Sequence, residues 1–376
     1  MIPARRAHLH VTAITDPGMQ GKSNEDRFAI SAHRLSHNDP TPSLLAIVAD
    51  GVGGHRAGEI AAEMAVETVS RLVAESDAAQ PAQILAQALA QASRLIFEQS
   101  HRDLAQVGMG TTAVCAWILG DRLYTAAAGD SRLYLLRSGT LQRLTIDHTW
   151  VQEALDHGAL SPIGARDHPN AHVIRRYLGA KHPLRADLRL RLHAGESDAQ
   201  AEANQGLRLL PGDRLLLCSD GLTDLVEDAE LLTALSAGRP SKEALHALVE
   251  LANQRGGHDN ITILLLEMPD RPLEKKLPGS SRRARLFIIL VAAILVALLL
   301  LTALGWSRLR TGGPLGATQT PSAPASLTLP IGETQPAALP ATPPATSLPT
   351  RAPLPSSTPT HPLATHTSWP TNTPVP

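Results

Sequence analysis

Two aspartates stand directly after apolar runs and directly before glycines. Asp50 follows the run LLAIVA and precedes Gly51, and Asp220 follows the run LLLCS and precedes Gly221. Glycine lets the backbone approach a ligand closely, and carboxylate oxygens are the ligands that hard divalent cations prefer. The repeated pattern predicts that Asp50 and Asp220 bind metal ions.

Further acidic residues stand at the ends of other apolar runs. Asp130 follows the run LYTAAAG, Asp259 precedes the run ITILLLE, and the pair Glu25 and Asp26 precedes the run RFAIS. One such residue alone is typical of an ordinary turn. Their recurrence at the ends of five predicted strands favours a shared metal site instead.

The elements that must position these carboxylates are predicted from hydrophobic periodicity. Strands are predicted over residues 8–15, 27–31, 44–49, 111–119, 123–128, 132–137, 141–145, 187–192, 214–218 and 261–267, and helices over residues 57–76, 82–101, 229–236 and 241–254. Strands come in clusters and helices in pairs, without strict alternation. This order favours an α+β fold with antiparallel sheets over a doubly wound parallel sheet.

Taken in order, the motifs resemble those of the metal-dependent type 2C serine/threonine protein phosphatases in their bacterial, membrane-anchored form. The motifs are NED at 24–26, DGVGGH at 50–55, MGTT at 109–112, GDSR at 129–132, DH at 147–148, CSDGL at 218–222 and GHDNIT at 257–262. The resemblance extends over residues 8–267. It implies a four-layer α-β-β-α sandwich, in which two antiparallel sheets stack face to face and helix pairs cover both outer faces.

The resemblance also implies which residues hold two divalent cations, Mn²⁺ or Mg²⁺. Asp50 is expected to bridge the two cations. Asp220 and Asp259 would complete one site, and the carbonyl of Gly51 would complete the other. An all-oxygen ligand set without cysteine agrees with Mn²⁺ or Mg²⁺ and disfavours structural zinc.

The remaining carboxylates have supporting roles in the same scheme. Glu25 and Asp26 would hold metal-bound waters, and Asp130 would join Asp220 in a third, weaker metal site. No cysteine or serine motif of nucleophilic type is present. The expected reaction is therefore direct hydrolysis of a phosphate monoester by a metal-bridging hydroxide, with Asp26 counted among the catalytic residues beside Asp50, Asp220 and Asp259.

The chain departs from the family pattern where the substrate phosphate would bind. Many members carry an arginine there, and Gly21 stands at that place here. Lys22 is the candidate that supplies the positive charge instead, as a point donor without the bidentate fork of arginine. His55 is a candidate proton donor with an ordinary loop role as the alternative, and His148 is expected to be structural.

The net charge of -1 is the sum of three dissimilar segments. Residues 1–270 carry 25 Lys+Arg and 33 Asp+Glu, residues 271–310 carry 8 and 1, and residues 311–376 carry 1 and 1. The first segment is therefore acidic and the second basic. Neither the whole chain nor the first segment has the positive charge expected of a nucleic-acid binder. We therefore expect no nucleic-acid partner and set aside a metal-dependent nuclease.

The basic segment contains an uncharged run of 19 residues, 286–304. At about 1.5 Å per residue, a helix of this length crosses a hydrocarbon core of roughly 30 Å. A buried core helix is the alternative, but such a helix normally keeps a polar face. Six Lys or Arg precede the run within residues 271–285 and two closely follow it, so the positive-inside rule places residues 1–270 in the cytoplasm.

Residues 305–376 are predicted to form an extracytoplasmic tail. Within them, residues 311–376 contain 16 Pro and 14 Thr and almost no charge. Such a composition cannot bury enough apolar surface to offset its conformational entropy, so disorder is predicted. A stalk that spans the cell wall or carries sugars and an inert tail remain equal alternatives.

The predicted organisation is a catalytic domain at 1–270, a basic juxtamembrane linker at 271–285, one transmembrane helix at 286–304 and the tail. The predicted function is removal of phosphate from phosphoserine and phosphothreonine in cytoplasmic proteins, opposing a receptor-type Ser/Thr kinase at the cell membrane. The alternative is a phosphatase-like sensor or scaffold that binds phosphoproteins with weak catalysis. Gly21 slightly favours this alternative, whereas the full carboxylate set favours the enzyme.

Overall fold

The computed structural model describes residues 1–21, 23–52, 57–161, 164–165, 168–270 and 294. By its internal contacts the chain divides into two units, Met1–Ser281 and Arg282–Pro376. Among the residues described, none of the helices is both long enough and apolar enough to cross a membrane. The predicted membrane run and the tail, apart from residue 294, lie outside the described residues.

The described residues form thirteen strands and seven α-helices. The strands are β1 Ile2–Pro3, β2 His10–Asp16, β3 Arg27–Arg34, β4 Pro42–Ala49, β5 Gly51–Val52, β6 Gly110–Thr111, β7 Ala113–Leu119, β8 Arg122–Ala128, β9 Arg132–Arg137, β10 Thr140–Arg143, β11 Leu207–Arg208, β12 Arg214–Cys218 and β13 Ile261–Glu267. The helices are α1 Ala57–Glu75, α2 Pro81–Ser100, α3 Trp150–Asp156, α4 Asp198–Ala203, α5 Asp220–Thr223, α6 Asp228–Ser236 and α7 Ser241–Gln254.

Two antiparallel sheets form the framework. The first has six strands in the order β1-β3-β4-β7-β8-β11, and the second has five in the order β10-β9-β12-β13-β2. Strands β5 and β6 pair separately. The α+β class with two antiparallel sheets, predicted from the clustering of strands, is confirmed.

The fold has four layers, because side chains that alternate along the strands pack between the two sheets on one face and against helices on the other. In β4, Leu44, Ala46 and Val48 pack between the sheets, whereas Leu45 and Ile47 point to the outer face, where α1 and α2 pack. The outer face of the second sheet packs against α6 and α7 in the same way. Because both faces of each sheet are covered, the central strands are apolar throughout, as the runs in the sequence are.

The helix that covers the first sheet closely is rich in alanine. Ala61, Ala62 and Ala65 of α1 are fully buried, so the helix backbone approaches the sheet closely. The core contains few aromatic side chains, as the 3% aromatic content requires. Trp117 is the largest of the fully buried side chains, and its Nε1–H donates to Ser43 Oγ at 2.8 Å.

The predicted strand at 187–192 is wrong. Leu190 is buried, and Leu188 and Leu192 pack against the core as alternate residues of a strand would. However, only Asp187 pairs with a neighbour, through an isolated bridge to Ala127. The alternating pattern therefore reflects a segment that lies along the core without joining a sheet. The short helices α3, α4 and α5 and the two-residue strands were not predicted, because they are too short to show a periodicity.

Leu89 of α2 tests the packing between the helices and the first sheet. Leu89 is completely buried, whereas Leu104 in the turn after α2 is 93% exposed. We expect Leu89→Ala to lower the free energy of unfolding by about 2–5 kcal/mol, because it leaves a cavity. Leu104→Ala removes the same atoms from a solvated position and should change stability by less than about 0.5 kcal/mol. Urea unfolding followed by tryptophan fluorescence measures both, and equal effects would contradict this packing.

Candidate active site

The strand order brings the predicted site residues to one end of the sandwich, here called the carboxylate pole. In the first sheet, Arg27 at the start of β3 pairs with Ala49 at the end of β4, so Asp26 and Asp50 lie side by side. In the second sheet, Cys218 at the end of β12 pairs with residues at the starts of β9 and β13. Asp220 therefore lies beside Asp130 and Asp259, because antiparallel neighbours begin and end at the same edge.

Hydrogen bonds between the sheets join the two halves of this pole. Ser219 Oγ donates to Asp26 Oδ2 at 2.8 Å and accepts from the Thr262 N–H at 2.9 Å. The Glu25 N–H donates to Asn260 Oδ1 at 2.7 Å. The buried Ser219 and Asn260 of the second sheet therefore fix the position of the acidic pair that precedes β3.

Asp50 lies at the centre of the cluster. Its carbonyl accepts hydrogen bonds from Thr112 N–H at 2.8 Å and Thr111 Oγ1 at 2.7 Å, which hold the chain as it leaves β4. Its carboxyl group is in hydrogen-bonding contact with that of Asp220. Desolvation and the negative charge of Asp220 raise the pKa of Asp50 well above its ordinary value.

The pKa values of the other carboxylates in the cluster are raised as well. Burial is the main cause that raises the pKa values of Asp26, Asp130 and Asp220, and neighbouring carboxylates add to it. For Asp26 the pKa rises to about 7, although hydrogen bonds from Thr262 and Ser219 oppose the rise. The chain thus concentrates negative charge that its Lys and Arg side chains do not neutralise.

Glycines allow the close approaches at this pole. A Cβ on Gly51 would lie 2.5 Å from the carbonyl oxygen of Gly58, and a Cβ on Gly58 would overlap Glu25 Oε2. Glu25, Gly51 and the first turn of α1 are therefore in direct contact. A Cβ on Gly221 would lie 2.2 Å from the carbonyl oxygen of Asn260, which explains the glycine that follows Asp220.

Gly18 supports the loop that carries Asp259. It has φ +72, and a Cβ there would lie 2.3 Å from the carbonyl oxygen of Asp259. The Met19 N–H donates to the carbonyl of Gly257 at 2.8 Å, and Asn260 Nδ2 donates to the carbonyl of Pro17 at 3.0 Å. The Asp259 carboxylate itself is exposed at the surface of the pole and bonds the Asn260 N–H at 2.9 Å.

The donor set fits divalent cations. Asp26 Oδ1, Asp130 Oδ1 and Asp220 Oδ1 are each shielded from solvent and have no hydrogen-bond partner in the described structure. Buried oxygens without partners are costly, and a cation would satisfy them while offsetting the repulsion between the carboxylates. Carboxylate oxygens with a nearby backbone carbonyl suit Mg²⁺ or Mn²⁺.

Two residues near this pole were not predicted from the sequence. His172 and Asp224 join Asp220 in a group whose ligand atoms lie within 4.8 Å of one another, and His172 Nδ1 is 3.0 Å from Asp224 Oδ2. The spacing of Asp220 and Asp224, four residues apart at a helix, was an available signal. No spacing in the sequence links His172 to them, since 48 positions separate His172 from Asp220.

A cleft of about 880 Å³ lies beside the cluster, between the segment after β10 and helices α5 and α6. Its lining includes Asp130, Asp220 and Asp259 together with His172 and Arg132. Its volume leaves room for a phosphorylated side chain next to the carboxylates. The guanidinium group of Arg132 is paired with Asp147, to which it donates two hydrogen bonds at 2.7 and 3.0 Å. Its positive charge is therefore already partnered.

His148 has the structural place that was expected of it. It is buried, its Nδ1 accepts the Gly129 N–H at 3.1 Å, and its Nε2 lies 2.9 Å from Asp187 Oδ2. The ring thereby ties the turn before Asp130 to the segment that was mistaken for a strand. Gly21, which stands where many family members carry the phosphate-binding arginine, has φ +68 with open space around it. The phosphate-binding candidate Lys22 and the candidate proton donor His55 lie outside the described residues.

Comparison with known proteins agrees with the fold and the motifs. The family model for protein phosphatase 2C matches residues 16–154, and the model for stage II sporulation protein E matches residues 166–269. The serine/threonine phosphatase stp of Listeria welshimeri is 34% identical over 265 residues, covering 69% of this chain and 96% of that protein. The serine/threonine protein phosphatase PstP of Mycobacterium tuberculosis is 34% identical over 262 residues, but the match covers only 45% of its length.

A solved structure has a similar fold. The catalytic domain of PstP in complex with two manganese ions superposes with a TM-score of 0.56 at 32% identity, covering 69% of this chain and 97% of that one. The chain belongs to the protein phosphatase 2C family of serine/threonine phosphatases.

The raised pKa values predict how metal-free protein responds to pH. Burial raises the pKa of Asp26 from 3.8 to about 7, so the folded state favours the protonated form. Stability from this group is present below about pH 4 and is lost as the pH rises through 7, by up to about 4 kcal/mol. Unfolding in urea with a chelator should show this decline, which Asp26→Asn reduces. Because the lowered pKa of His8 makes stability rise over part of the same range, the comparison with Asp26→Asn decides, and a variant with the same pH dependence as the unaltered chain would contradict the assignment.

Substitution of Gly18 is expected to lower metal affinity although every carboxylate remains in place. Gly18 and Gly139 both have positive φ, +72 and +77, but only Gly18 has neighbours that a Cβ would meet. Gly18→Ala should displace the Asp259 loop and weaken Mn²⁺ binding roughly 10- to 100-fold. Gly139→Ala carries a similar backbone strain and should leave Mn²⁺ affinity unchanged. Calorimetric titration with Mn²⁺ measures both, and similar affinities would argue against this role for Gly18.

Proposed function

We propose that this chain is a protein serine/threonine phosphatase that hydrolyses phosphoserine and phosphothreonine in proteins with two divalent cations, Mn²⁺ or Mg²⁺. The observation that carries the proposal is the cluster of carboxylates with unpartnered buried oxygens at one pole, beside a cleft whose volume leaves room for a phosphorylated side chain. The names of the relatives support the substrate class.

The proposed ligands are Asp50, Asp220, Asp259 and the carbonyl of Gly51. When bound, two divalent cations lower the pKa of a water molecule and neutralise charge on the phosphoryl oxygens. Asp50, in contact with Asp220 and beside Asp26, is the proposed ligand of both cations. The close contact of Gly51 with Gly58 holds its carbonyl at the same pole.

Glu25 and Asp26 are proposed to hold and orient water. Ser219 Oγ fixes one oxygen of Asp26 at 2.8 Å and leaves Oδ1 available to a water molecule. Asp130, with Asp220, provides a third and weaker cation site. Lys22 is the proposed positive charge for the substrate phosphate, since Gly21 carries no side chain there.

We also propose that the chain is anchored in the cell membrane through residues 286–304. The 19-residue uncharged run and the basic residues before it support this topology, with residues 1–270 in the cytoplasm and the Pro/Thr-rich tail outside. A phosphatase held there is placed to oppose a receptor-type Ser/Thr kinase and its phosphorylated targets.

Asp50→Asn tests the proposed activity. Release of phosphate from a phosphothreonine peptide should depend on Mn²⁺ and should fall by roughly a thousandfold or more in Asp50→Asn, because the removed charge holds both cations. Asp121→Asn removes the same charge from a surface turn far from the pole and should leave turnover unchanged.

The same assay separates an enzyme from a scaffold. A scaffold would bind the phosphopeptide with no Mn²⁺-dependent release in the unaltered chain, and Asp50→Asn would then have nothing to abolish. That result would overturn the proposal.

A further inference from the structure

The end of the sandwich opposite the carboxylates, here called the basic pole, contains a cavity of about 250 Å³. Its charged and titratable lining residues are Arg5, Arg6, His8, His33 and Arg34. An adjoining cavity of about 300 Å³ shares Arg5 and Arg34. No Asp or Glu lines either cavity, although residues 1–270 carry an excess of eight acidic residues.

The three arginines of this cavity differ from the other arginines at the same end. The others are paired: Arg137 with Asp213, Arg208 with Asp121, and Arg214 with Glu267. The side chains of Arg5, Arg6 and Arg34 are exposed and form no ion pair or hydrogen bond with any residue that the structure describes. The lining residues of the cavity include no carboxylate to offset the positive charge of these three arginines, and an anion bound there would offset it.

The two histidines provide hydrogen-bonding groups without charge. Burial lowers the pKa of His8 to about 4, and its Nε2 lies 3.0 Å from the carbonyl oxygen of Gly120. Burial also lowers the pKa of His33, whose Nδ1 is shielded from solvent and has no described partner. At neutral pH the positive charge of the cavity therefore comes from its arginines.

The last strand of the second sheet ends at the same end of the sandwich as this cavity. Glu267, the last residue of β13, pairs with His10, the first residue of β2. The chain therefore leaves the second sheet at the end where Arg5 and Arg6 lie. Residues 271–285, with six Lys or Arg and one acidic residue, follow directly, and fifteen residues span at most about 50 Å.

We propose that the basic cavity binds the phosphate groups of anionic phospholipids at the membrane surface. This rests on the proposed membrane anchor and goes beyond the proposed reaction. Arg5, Arg6 and Arg34 hold the headgroup phosphate, and the carboxylate pole then faces away from the bilayer. A lipid source is favoured over a free phosphate because the arginines lie at the end from which the chain leads to the basic linker.

The test uses the full chain in vesicles of phosphatidylcholine, with or without phosphatidylglycerol. Cys115 and Cys218 are fully buried, so a fluorophore can be attached selectively at His37→Cys, beside the cavity, or at His157→Cys, near the carboxylate pole. Nitroxide groups on lipid headgroups quench a fluorophore that lies at the membrane surface. We expect phosphatidylglycerol to increase quenching at position 37 and to leave position 157 unchanged.

A matched pair of triple variants isolates the cavity. Arg5→Gln, Arg6→Gln and Arg34→Gln together should weaken binding of phosphatidylglycerol by the cavity roughly a hundredfold. Quenching at position 37 should then return to its level in neutral vesicles. Arg71→Gln, Arg94→Gln and Arg102→Gln remove the same charge from the outer faces of α1 and α2 and the turn after them, and they should retain the effect.

Each outcome decides the proposal. Equal quenching at position 37 in both vesicles, or equal loss in both triple variants, overturns it. A response to inorganic phosphate in neutral vesicles without an effect of phosphatidylglycerol assigns the cavity to a soluble phosphate and also overturns it. Phosphopeptide hydrolysis in the same samples reports the proposed reaction separately, and flotation with neutral vesicles reports the anchor, so that a failure of either is distinguished from a failure of the cavity.

Discussion

Carboxylates packed at one end of two sheets repel one another, and the fold must hold them together against that repulsion. Asp26 and Asp130 are buried, Asp50 and Asp220 are half-buried, and desolvation together with the mutual repulsion of these carboxylates raises their pKa values. A fold that holds such a group without cations spends stability to do so. The buried sheets, the glycine contacts and the bonds between sheets supply that stability and keep the carboxylates from moving apart.

The two ends of the sandwich have opposite electrostatic character. The carboxylate pole concentrates negative charge next to a cleft, and the basic pole presents three arginines that have no ion-pair partner among the described residues. Antiparallel strands produce this separation, because the segments that enter and leave each strand gather at opposite edges. A phosphate-handling centre and a surface of the opposite sign are thus held apart by the length of the strands, and each can meet its own partner.

Much of the fold could be predicted because its long elements bury one or both faces. The helices α1, α2, α6 and α7 and most of the strands follow periodicity, and their predicted bounds lie within a few residues of the observed ones. The segment at 187–192 misled the prediction, since side chains that alternate against a core look the same whether or not the backbone pairs. His172 was missed because its proximity to Asp220 depends on how a distant loop is arranged, whereas Asp224 was missed although its spacing of four residues from Asp220 was a usable signal.

The sequence alone was enough to predict a carboxylate site, since Asp50, Asp130, Asp220 and Asp259 each stand near the end of an apolar run beside a glycine or an asparagine. It also determined the class of fold and the family, through motifs in a fixed order. Only the tertiary structure decided that Ser219 holds Asp26, that Gly18 supports Asp259, and that Arg5, Arg6 and Arg34 share a cavity. These are contacts between residues far apart in the chain, and their distances follow from the packing of the two sheets, which no local pattern encodes.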